Sequence, residues 1–101
     1  ILATRHVTNQ GMRDELETVV DLGGTMVDVS IEHAVYGEIS APLMLRTRAG
    51  VDMFMAHFEK GDTAPISLLT GGVHLHTVEA PNEDVMEQIV SALRRKGYLV
   101  E

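Results

Sequence analysis

The chain has 101 residues, 45% of them hydrophobic, which suits one folded domain with a modest core rather than a disordered segment. Its net charge of −7, from 15 acidic and 8 basic residues, excludes an electrostatic footprint for nucleic acid on this segment. With no cysteines, disulfides, thiolate metal sites and cysteine nucleophiles are excluded, leaving histidine and carboxylates as metal ligands.

Residues Ile1 to Val7 are apolar and partly β-branched, which predicts a first strand with His6 near its end. Thr8 and Asn9 have short side chains able to accept orphan backbone N–H bonds, so a helix starts there. Met12, Leu16, Val19 and Val20 repeat as its apolar stripe, and Gly23 stops it. Glu15 falls on the flank of that stripe, where a glutamate is ordinarily solvated but can also lean over a sheet edge.

Thr25 to Glu32 alternates, with Val27, Val29 and Ile31 on one face and Met26, Asp28, Ser30 and Glu32 on the other. His33 to Gly37 turns the chain. Ile39, Ala41, Leu43 and Leu45 then alternate into a third strand, which Pro42 consigns to an edge or a bulge because it cannot donate to a ladder. Thr47 caps a second helix with the stripe Val51, Phe54, Met55 and Phe58. Gly61 to Gly72 reads as a loop punctuated by Pro65 and the Gly71-Gly72 pair. Gly71 to Glu79 is a turn feeding a fourth strand. Pro81 opens a third helix with acidic residues at its start, Val85, Ile89, Val90 and Leu93 as its stripe, and Arg94, Arg95 and Lys96 before Gly97. A few extended residues follow.

The order β-α-β-β-α-β-α predicts an α+β fold, a two-layer open-faced sandwich with helices on one face of an antiparallel four-stranded sheet. Two arrangements fit by analogy, the phosphocarrier (HPr-like) sandwich and the ferredoxin-like sandwich, and the extra final helix favours the first. In both, the first and fourth strands are antiparallel neighbours, so the end of strand one meets the start of strand four. That brings His6 toward His74 and His76.

His74 and His76 are two apart on a strand and therefore share a face, roughly 6–7 Å apart. Two imidazoles so placed can close on one ion at about 2.0–2.1 Å from each nitrogen, although two polar residues sharing a solvated face is the commoner arrangement. His33 reads on chemistry alone as a turn histidine bonded to local backbone, and Tyr36 as a half-buried aromatic. Arg48, near a helix start, is able to pair with a carboxylate through its planar fork.

His33-Ala34-Val35-Tyr36-Gly37 and Leu68-Leu69-Thr70-Gly71-Gly72-Val73-His74-Leu75-His76 resemble the three-histidine (3H) domain of bacterial transcriptional repressors, as do Val20-Asp21-Leu22-Gly23-Gly24 and Asp28-Val29. The resemblance covers essentially the whole chain, with Ala34 standing where the family usually has proline. It implies an HPr-like regulatory domain of a niacin-responsive repressor of NAD biosynthesis and niacin uptake genes. It also implies a cytoplasmic homodimer, with DNA bound through a winged helix upstream of these residues and no membrane contact. The metal site it implies falls on His6, Glu15, His74 and His76, holding nickel or zinc. The spacing from His6 leaves Asp14 and Glu17 as alternatives to Glu15. The implied effector is nicotinic acid, for which His33, Tyr36 and Arg48 are candidate contacts.

Other functions fit parts of the pattern. Nitrogen and oxygen ligands with an open position would activate water in a small metallohydrolase, but no separate acid–base residue or substrate motif accompanies them. A phosphocarrier carries its phosphohistidine just before the first helix, where His6 stands, but needs a small residue, arginine and proline next; Val7-Thr8-Asn9 lacks them.

Overall fold

A computed structural model describes residues 1–59, 61 and 63–101. Strands β1 (Leu2–Arg5), β2 (Thr25–His33), β3 (Gly37–Leu45), β4 (Val73–His76) and β5 (Val78–Glu79) form one sheet, and helices α1 (Asn9–Asp21), α2 (Arg48–Glu59) and α3 (Glu83–Arg95) pack on one face of it. The strand order is β1-β4-β2-β3, every pairing is antiparallel, and β5 pairs the start of β2. This is the open-faced α+β sandwich expected from the element order.

Each helix begins for a local reason. Thr8 accepts from the Gly11 N–H at the start of α1, Thr47 from the Gly50 N–H at α2, and Asn82 from the Val85 N–H at α3. Each bond satisfies a backbone donor that has no partner within the helix. Leu16 and Val19 of α1, Val51 and Met55 of α2 and Ile89 and Leu93 of α3 meet Met26, Leu45 and Val78 in the core.

Two expectations change. Met26 lies on the buried face and not opposite Val29 and Ile31, because β2 spends four residues from Ser30 to Met26 while the strands beside it spend three from Leu75 to Val78, which leaves one extra residue in β2. A bulge adds one residue on one strand and so reverses the alternation beyond it. Pro42 stands opposite Asp28 beside a register shift between β2 and β3, on edge strand β3. The second change is in the expected loop from Gly61 to Gly72, of which residue 62 lies outside the described residues. Ile66–Thr70 there forms a 3-10 helix begun by Pro65 and ended by Gly71 in the left-handed conformation.

The residues after α3 extend the sheet. The Arg5 N–H donates to the Tyr98 carbonyl and the Val100 N–H to the Ala3 carbonyl, so residues 98–100 run beside β1.

Candidate metal centre

The β1–β4 register pairs Leu2 with His76 and Thr4 with His74. Partners in an antiparallel ladder share a face, so both histidines point into the helix layer, and His6, two residues after Thr4, follows them. His6, His74 and His76 are all buried. Above them α1 lowers Glu15, which is 0% exposed, into the centre of the apolar stripe.

All three imidazoles reach the same carboxylate oxygen. Nε2 of His6, of His74 and of His76 each lies 3.0 Å from Oε1 of Glu15. His6, Glu15 and His74 offer ligand atoms within 4.8 Å of one another; His76 lies outside that group and meets it through its contact with Glu15 Oε1. The other oxygen, Oε2, is buried with no hydrogen-bond partner among the described residues.

Two of the rings have a fixed tautomer. A carbonyl can only accept, so His74 Nδ1 donates to the Gly72 carbonyl at 2.8 Å and His76 Nδ1 donates to the Asp28 carbonyl at 2.7 Å. Each neutral ring then presents a lone pair, not a proton, at Nε2. The Thr4 hydroxyl also lies 2.9 Å from His74 Nε2. Burial by itself pushes the Glu15 carboxyl up; protons donated from the imidazole side, or a cation in their place, hold it well below the usual carboxylate range. Lone pairs and an ionised carboxylate crowded together without water repel unless a cation or a shared proton lies between them. The donor set, its burial and the orphaned Oε2 fit a divalent transition metal.

The alternatives to Glu15 are engaged elsewhere. Asp14 accepts from Lys96 and from the Tyr98 hydroxyl, and Glu17 pairs with Arg13 and Arg48.

The cluster opens into a cavity of about 200 Å³ between the sheet and α2. Met12, Phe54, Phe58, Leu43 and Ile66 make it largely apolar, with Ser67 as a buried hydroxyl. The expected ligand contacts lie apart from it. His33 and Tyr36 sit at the β2–β3 turn, where His33 Nδ1 accepts from the Val35 and Tyr36 N–H groups and Tyr36 is 77% exposed. Arg48 pairs with Asp21 and Glu17 and lines a broad charged groove between α1 and α3. Phe54 and Phe58 were legible only as a core stripe. Nothing local in the sequence marks the Gly72 and Asp28 carbonyls or the Thr4 hydroxyl as partners of the histidines.

The family model described as "3H domain" matches residues 1–101. The chain is 43% identical over 101 residues to a probable transcription repressor, NiaR, of Thermotoga maritima, covering 100% of this chain and 57% of that protein. It is 42% identical over 88 residues to the transcription repressor NadR of Bacillus subtilis, covering 87% of this chain and 49% of the relative. The chain thus spans about half the length of the curated relatives it matches.

Proposed function

Because the chain belongs to the 3H domain family, we propose that it is the effector- and metal-binding regulatory part of a transcription repressor governing NAD biosynthesis and niacin uptake. The observation that carries this is the convergence of three imidazole nitrogens on one buried carboxylate oxygen at the wall of a small apolar cavity. His6, Glu15, His74 and His76 would hold nickel or zinc. When bound, the ion supplies positive charge and an open coordination position to a space that is otherwise apolar.

Nicotinic acid or a close pyridine carboxylate suits that combination. An aromatic ring finds Phe54 and Phe58, and a carboxylate or ring nitrogen finds the ion. Tyr36, His33 and Arg48 remain candidate contacts only for a second binding position, since none lines this cavity. The reading assigns no reaction to the site, in keeping with relatives named as repressors.

DNA contact belongs in this reading to a part of the repressor outside these acidic residues, in the cytoplasm. No helix among the described residues is long and apolar enough to cross a membrane. A homodimer is supported by the sheet face away from the helices, where Leu75 is half-buried and Val73 is 39% exposed. It would match a two-fold operator.

Calorimetry with nicotinate and nicotinamide, on metal-loaded and metal-stripped protein, tests the assignment. Nicotinate binding that requires metal supports it. Equal binding of both compounds regardless of metal places the ligand elsewhere.

A further inference from the structure

His74 and His76 are each oriented through the nitrogen that faces away from Glu15, by the Gly72 and Asp28 carbonyls. His6 makes no such bond through Nδ1 among the described residues. A ring that must present Nε2 to one point needs a substitute for it, because rotation about its two side-chain bonds carries the nitrogen away.

The substitute is packing from several sides. The His74 ring meets His6 edge-on with centroids 4.6 Å apart, and the Tyr98 ring stands at 87° to His6 with centroids 6.1 Å apart. Both separations fall in the range of edge-to-face aromatic contacts. Gly11 leaves the remaining space, since a methyl group there would come within 2.9 Å of the His6 Cβ.

Tyr98 is itself held at both ends. Its carbonyl accepts from the Arg5 N–H at 2.7 Å, within the short extension of the sheet beside β1. Its hydroxyl donates to Asp14 Oδ2 at 2.8 Å, while Asp14 Oδ1 accepts from Lys96 Nζ at 2.9 Å. The segment after α3 therefore straps β1, which leads into His6, to α1, which carries Glu15.

We propose that Tyr98 is the positioning residue for His6, holding that ring on Glu15 by edge-on packing while Asp14 fixes the tyrosine. The proposal rests on the metal-binding reading above and concerns a residue that would not itself touch the ion.

The test measures nickel and zinc affinity by competition with a chromophoric chelator, and the visible spectrum of the cobalt(II)-loaded protein. Wild type, Tyr98→Leu, Tyr98→Phe and His6→Ala are compared, with far-UV circular dichroism as the check on folding. Tyr98→Leu should lose about 10- to 100-fold in affinity, the range seen when support behind a ligand is removed. Its cobalt spectrum should move toward that of His6→Ala, a change that a merely structural role would not produce. Tyr98→Phe keeps the ring but frees it from Asp14, and should lose about 2- to 10-fold. Wild-type affinity and spectrum in either folded variant would overturn the proposal. A wild-type protein that takes up no metal would instead overturn the metal-binding reading, so the two failures are distinct.

Discussion

His76 Nε2 stands 3.0 Å from Glu15 Oε1 while the other nitrogen of the same ring donates to the Asp28 carbonyl at 2.7 Å. A neutral imidazole so bonded turns a lone pair toward a carboxylate, and His74 repeats the arrangement through Gly72. Such a contact opposes folding unless a cation satisfies both sides, and removing water from it enlarges the effect.

Metal should therefore stabilise the fold. An ion held at 100 times its Kd adds about 2.7 kcal/mol to the stability of a native state that alone binds it. For a chain of this size that corresponds to roughly 10–20 °C in Tm. Thermal denaturation with and without a chelator measures the shift. A Tm unchanged by stripping would show that the cluster is satisfied without an ion.

The double variant His74→Ala, His76→Ala should purify without the near-stoichiometric metal expected of the wild type, read by elemental analysis after mild purification. Undiminished metal in that variant would rule out this cluster as its site.

Ala41 lines the cavity at some distance along the sheet from the histidines. Ala41→Leu fills part of the space, so nicotinate affinity should fall about 10-fold, equal to 1.4 kcal/mol, while metal content is kept. Calorimetry on the metal-loaded variant separates the two properties.

Gly72 has φ of +92°, and a Cβ there would overlap the His6 carbonyl oxygen. Its own carbonyl also orients His74. Gly72→Ala should cost about 2 kcal/mol or more in urea unfolding, since both backbone conformation and close approach require glycine. A wild-type midpoint and slope would contradict the turn geometry.

Burial, with the Asp14 carboxylate as a further cause, raises the Tyr98 phenol from 10.0 to about 12. A group raised in the folded state contributes stability that is full below its unfolded value of about 10 and lost as pH climbs through the folded value. In a Tyr36→Phe background, which leaves a single tyrosine, phenolate absorbance should appear near pH 12. In the window from 10 to 12 that variant should lose stability, and Tyr98→Phe placed in the same background should lose less. A phenolate appearing near pH 10 in folded protein would contradict the burial of the ring together with its Asp14 bond.

The sequence by itself determined the element order, the helix starts at Thr8 and Thr47, the edge position of the Pro42 strand, and the common face of His74 and His76, while the third helix, expected to open at Pro81, takes Asn82 as its cap. All of these depend on periodicity and on side chains acting within a few residues of their own backbone. The choice of Glu15 over Asp14 and Glu17 was left open there, since the three differ by less than one helical turn. Only the packing of α1 on the sheet decided which of them turned inward and which met Lys96 or Arg48 at the surface. The bulge that brought Met26 into the core depended on how β2 aligned with β4 and β5, a relation between strands that alternation within one strand does not encode. The cavity, the Asp28 carbonyl behind His76 and the tyrosine beside His6 likewise joined residues dozens of positions apart. Backbone carbonyls carry no signature in residue type, and a tyrosine near the chain end looks the same in sequence whether it faces water or a histidine.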